Sequence, residues 1–169
     1  TPTILLLCLA SATHAAAPRK LEHPGGLHSR KQIATARAAI AAGKEPWAGA
    51  YKALVEQADR NLERKPAPIA NFNIPGYYSK PKVHLERAKR LHVDVWVAYS
   101  CALAYQLTAG KERSKYAEKA VQVLDAWAKL NTAASGGDGY LVMTYSGVGM
   151  VFAAELLTAH NGGRPEQRA

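Results

Sequence analysis

LHVDVWVAYSCALAYQL, residues 91–107, is the stretch on which the fold turns. Its opening, Leu91-His92-Val93-Asp94-Val95-Trp96-Val97, alternates and is rich in β-branched residues, the pattern of a strand. Residues 98–107 continue it without a break signal, are rich in alanine, and run on to Gly110. Strands average five or six residues, so an apolar run of this length and alanine content reads as one helix. It is apolar almost all round, which predicts burial on most of its sides.

Helices are predicted on either side of it. Downstream, residues 112–130 form an amphipathic pattern with Ala117, Ala120, Val121, Leu124, Trp127 and Ala128 on one stripe. Ser135-Gly136-Gly137-Asp138-Gly139 then separates it from a last apolar helix over residues 140–159, ended by Gly162-Gly163-Arg164-Pro165. Upstream, Ser29 is placed as an N-cap with Gln32 in the capping-box position, and Ile33, Ala36, Ala39 and Ile40 share a face up to Gly43. Pro46 opens a second helix in which Trp47, Tyr51, Leu54, Val55, Ala58 and Leu62 recur with a period of 3.6. Five helices give an all-α class. Amphipathic helices paired with all-round apolar ones suit the outer and inner members of a partial (α/α) toroid of antiparallel helix pairs. No fixed-period repeat accompanies them.

Between the second and third helices lies NFNIPGYYSKPKVHLERAKR, residues 71–90, which reads as surface. Pro66, Pro68, Pro75 and Pro81 exclude a long helix here. Charge concentrates in this region. Residues 60–90 hold eight basic residues against two acids, so +6 of the net charge of +9 sits in this window. Such a field attracts a polyanion, and nucleic acid, an acidic polysaccharide and an anionic membrane surface all qualify; an ordinary solvated basic face is the bland alternative. Tyr77 and Tyr78, beside Lys80 and Lys82, are adjacent in a broken loop and cannot both be core. Such amphipathic rings stack on sugar or base faces while ammoniums meet carboxylates or phosphates.

Residues 1–17 read as an export leader. ILLLCLA, residues 4–10, is shorter than the roughly 20 apolar residues that span a bilayer, and Ala15-Ala16-Ala17 supplies a cleavage site before Pro18. The expected location is periplasmic or secreted, with no stable membrane insertion and no nucleic-acid partner. Residues 18–169 form one helical domain. Cleavage leaves Cys101 as a single buried thiol, and the oligomeric state is left open.

Other candidate groups are weaker. No zinc, phosphate-loop or Ser/His/Asp signature occurs, and neither metal nor cofactor is expected. Gly147-Val148-Gly149 suits close helix packing better than a dinucleotide site. Asp94, in an apolar run, is either a catalytic acid or a buried hydrogen-bonded carboxylate, the second being the commoner case. His92, two positions away, does not share its face. His23 and His28 lack metal-ligand spacing. Trp47, Trp96 and Trp127 take core-facing positions.

HPGGLHS, AAGKEPW, NIPGYYSKP, VAYSCALAYQLTAGKERSKYAEKAVQVLDAW and TYSGVGMVFAAELL, in this order and spacing, resemble the alginate lyase domain of polysaccharide lyases. The likeness covers residues 21–157. It implies an incomplete (α/α) toroid that cleaves an acidic polyuronate by β-elimination, with the segment after the second helix as a mobile lid. Tyr77, Tyr78, Lys80, Lys82 and Arg87 are then substrate-binding. Such lyases neutralise the uronate carboxylate, stabilise an enolate-like intermediate, remove the proton beside it and protonate the departing oxygen, using a Tyr, an Asn-His pair and an Arg. No Asn-His dipeptide occurs in this chain, and His160-Asn161 is the reverse order. The resemblance therefore implies an N-terminal portion of a lyase whose catalytic residues are not assigned here. The alternative is a non-catalytic exported module that binds acidic glycan.

Overall fold

The computed structural model describes residues 23–158 and 160; the leader expected over residues 1–17 lies outside them, as does the Gly-Gly-Arg-Pro stop. Among the described residues there are five helices: α1 (Arg30–Ala41), α2 (Trp47–Leu62), α3 (Pro81–Leu107), α4 (Ser114–Leu130) and α5 (Gly139–Leu156). Two short strands, β1 (Asn71–Asn73) and β2 (Ala133–Ser135), pair in parallel, Phe72 opposite Ala134. The fold is mainly α, as expected; the strands are an addition.

The decisive stretch is helical throughout. Leu91, Asp94, Val97, Ala98, Cys101, Ala102 and Tyr105 are buried along α3, a helical repeat rather than an alternation. The two ends of α3 correct the sequence reading. Pro81 starts the helix instead of excluding it, because a proline in the first turn loses no intrahelical hydrogen bond. Residues 81–90 are therefore helix, and the connecting loop is shorter than residues 71–90. Nor is that loop all surface. Phe72 and Ile74 are fully buried, with the Phe72 ring edge-on to Trp127 at 5.9 Å.

Side-chain pairs fix how the helices run. His92 meets Tyr145 and Val95 meets Gly149, so α3 and α5 lie side by side and parallel. Asn61 Nδ2 donates to Ser100 Oγ (3.1 Å) and Tyr51 Oη to Thr108 Oγ1 (3.1 Å), which makes α2 antiparallel to α3. Trp127 Nε1 reaches Asp94 and Arg113 lies over the Tyr105 ring, so α4 is antiparallel to α3 as well. Asp59 of α2 takes both Lys115 Nζ and Tyr116 Oη of α4, joining two helices that each run antiparallel to α3.

The capping box forms as read: Ser29 N donates to Gln32 Oε1 at 2.8 Å and Gln32 N to Ser29 Oγ at 3.2 Å. Other details depart from the pattern. A 3-10 turn, Lys111–Arg113, precedes α4, and α5 ends at Leu156. On α4, Val123 is buried where Ala128 was expected to be. Of the three tryptophans only Trp127 is core. Trp47 is 45% and Trp96 56% exposed. Trp47 sits in the first turn of α2, ahead of the buried positions Ala58 and Asn61, and Trp96 follows the exposed His92 by one turn.

Candidate functional site

Residues 74–80 are pinned against the starts of α3 and α5. Asp138, just before α5, accepts from Tyr77 N at 2.8 Å through Oδ2. The same oxygen is 3.2 Å from His84 Nδ1, which is also 3.0 Å from Pro75 O. Both partners can only accept, so Nδ1 carries the proton. His84 is buried and places its ring edge-on to Tyr77 at 5.4 Å. Gly136 (φ +83°) lets the opposing chain pass beneath: a Cβ there would stand 2.3 Å from Ile74 O.

On this base the expected binding residues are brought together in part. Tyr77 and Tyr78 meet edge to face at 5.5 Å; Tyr77 is 43% exposed and Tyr78 98%. Gly76 O accepts from Ser79 N and Lys80 N, closing a turn that presents both rings outward. Lys80 caps α3 and Lys82 lies in its first turn, both exposed. Neither pairs with an acidic side chain among the described residues, and the first turn of α3 holds no acid. Cations at a helix N-terminus oppose the helix dipole, so this placement works against α3 and favours an arriving anion. Arg87 is different. Its Nη1 donates to Asn73 O (2.6 Å) and Oδ1 (3.2 Å), tying β1 to α3. Arg90 does the same for Ala67 O and Pro68 O. Part of the basic window thus fastens the loop.

Asp138 and His84, the two anchors, were not singled out from sequence. Asp138 precedes a helix, which is a capping signal, but its actual partners lie 54 and 61 residues away.

Several other titratable groups are structural or paired. Asp94 Oδ2 accepts from Trp127 Nε1 and Ala67 N, each at 2.7 Å, the buried-carboxylate role. His28 Nε2 bonds Tyr99 Oη; burial lowers the His28 pKa and raises that of Tyr99, leaving a neutral pair. Glu155 gathers the leading segment, accepting from Gly25 N, Gly26 N and His23 Nδ1, and these bonds, Gly25 foremost, hold its pKa down. Burial pushes the Cys101 thiol up to about 11, so it is no nucleophile. Gly149 packs against Val95, the close approach expected of that segment. No cluster of metal-ligating side chains occurs among the described residues.

No protein-family model, no curated protein and no solved structure matches this chain.

Proposed function

We propose that the protein is an exported polysaccharide lyase that grips an acidic polyuronate, such as alginate, and cleaves it by β-elimination. The observation that carries this reading is the Tyr77–Tyr78 pair, held outward beside unpaired Lys80 and Lys82. Its aromatic faces suit the C–H faces of sugar rings, and its ammoniums suit uronate carboxylates. The anchoring by Asp138 and His84 makes the grip rigid at its base while leaving Tyr78 free at its tip. The side-by-side parallel pair α3 and α5, with α2 and α4 antiparallel to α3, is compatible with an arc of an (α/α) toroid. In this reading the chain supplies one wall of the cleft and its lid, in the periplasm or outside the cell, and none of its residues is assigned as base or acid. Substrate binding draws on Tyr77, Tyr78, Lys80 and Lys82, with Arg87 both holding the loop and offering its remaining donors.

The test uses the full-length gene product on alginate and glucuronan, following the ultraviolet absorbance of the unsaturated uronate. Elimination product is expected, with turnover reduced in the Tyr78→Ala and Lys80→Ala variants. Salt-sensitive binding without product would favour the non-catalytic glycan-binding module. Absence of both binding and product on every polyuronate would end the reading.

A further inference from the structure

α3 presents an aromatic ridge between two hollows, away from the loop. His92 and Trp96, four residues apart, share a helix face, and both rings reach solvent. On one flank Val95 and Tyr99 wall a cavity of about 350 Å³, closed by Leu27 and by Tyr145, Gly149 and Phe152 of α5. On the other, Val93 and Val97 wall a cavity of about 250 Å³, closed by Gln57, Asn61 and Arg64 at the end of α2. His92 and Trp96 line both.

The two hollows differ in chemistry. The first is aromatic and apolar, with Tyr145 54% exposed and its ring 6.1 Å from that of His92. The second is also walled mainly by apolar surface, but it carries polar side chains as well. Gln57 and Asn61 are bonded to each other there, and the Arg64 guanidinium has no acidic partner among the described residues. A half-exposed indole between an apolar hollow and an unpaired guanidinium is poorly explained as core packing. It matches a ligand with an apolar face and a nearby negative charge, which describes a uronate ring in a chain.

We infer that this ridge is a saccharide subsite in which one sugar ring stacks on Trp96 and Tyr145 while the carboxylate of a neighbouring residue meets Arg64. The inference rests on the polyuronate reading and extends it. His92 lies eight residues beyond His84 on α3, about 12 Å along the helix axis, a separation on the scale of an oligosaccharide rather than of a single sugar ring.

Calorimetric titration of the full-length protein with an oligouronate and with its carboxyl-reduced neutral counterpart tests this. Trp96→Ala is expected to weaken oligouronate binding about tenfold, with Trp96→Tyr retaining most of it. Arg64→Gln, at an exposed position that leaves the core intact, is expected to weaken the acidic ligand and not the neutral one. Should Trp96→Ala fail to fold, Trp96→Tyr and Arg64→Gln still decide the matter. Wild-type affinity in Trp96→Ala and Arg64→Gln, with binding lost in Tyr78→Ala, would overturn the subsite and leave the loop reading standing. If the wild type binds neither ligand, both readings fall. Unchanged sugar binding together with lost self-association in Trp96→Ala would make the ridge a contact between copies, and the subsite would again be overturned.

Discussion

At Asp94 a single carboxylate oxygen serves two elements, taking the indole N–H of Trp127 and the backbone N–H of Ala67. Truncation to alanine would strand both donors, the Trp127 indole in the buried core and the Ala67 N–H at its partly buried edge. We expect Asp94→Ala to cost about 3 kcal/mol in denaturant unfolding, and Asp94→Asn, which keeps an acceptor, clearly less. The sequence left this residue between catalysis and structure because its partners stand 27 and 33 positions away, beyond any local pattern. Glu155 makes the complementary case. Its pKa is held below the ordinary 4.5, first by Gly25 N and then by His23. A depressed carboxylate stabilises above its unfolded value, and that support is lost as the pH falls through the folded one. Glu155→Gln should therefore lower the melting temperature at neutral pH by a few degrees. The gap to wild type should close as the pH falls through the folded value, below the ordinary 4.5; a gap independent of pH would mean that the charge contributes nothing. Nothing in the local sequence pointed to the docking of His23, Gly25 and Gly26 onto α5.

Helix positions were legible where periodicity and capping speak, as at Ser29–Gln32 and along α3. They were less so where a tertiary contact decides. Pro81 read as a breaker, since sequence alone does not tell a proline inside a helix from one at its first turn. β1 and β2 are three residues each, too short to show a period, and their pairing depends on chain crossing at Gly136. The α3–α5 contact gives the prediction at this scale. A Cβ at Gly149 would stand 2.4 Å from Val95 Cγ1, and a β-branched side chain in a helix has no second rotamer into which to retreat. Gly149→Ala gains up to about 1 kcal/mol of helix propensity but forces the helices apart. We expect a net loss of about 1–2 kcal/mol, read by thermal or chemical unfolding. Val95→Ala in the same chain should relieve most of it. An additive double mutant would place the strain elsewhere.

For the whole molecule, the mainly-α class was legible but the distribution of its apolar surface was not. Both α3 and α5 are apolar around most of their circumference in sequence, and both were read as inner helices. The second half of α3, from Val97 to Leu107, is indeed covered, packed against α2, α4 and α5, while His92 and Trp96 are left out. α5 is covered on one flank by Val142, Ala153 and Leu156, while Tyr140, Leu141, Tyr145, Val148 and Val151 face solvent. Its 18 residues reach a mean hydropathy of 1.2, so this is an unusual amount of apolar surface for a small protein. Tyr140 and Val151, eleven residues apart, fall on one stripe of α5, turned away from the Trp96 ridge. If that stripe drives association, the protein should sediment as a concentration-dependent oligomer. Tyr140→Lys combined with Val151→Lys should then return it to a monomer that stays folded, because neither side chain is part of the core. Oligouronate binding should be unchanged in the same variant, since these residues line neither the loop nor the hollows beside Trp96. An oligomer that survives both lysines would shift the association to the groove side of α5, where Tyr145 and Val148 stand beside the ridge, and would bring the proposed saccharide subsite into competition with a second copy of the chain.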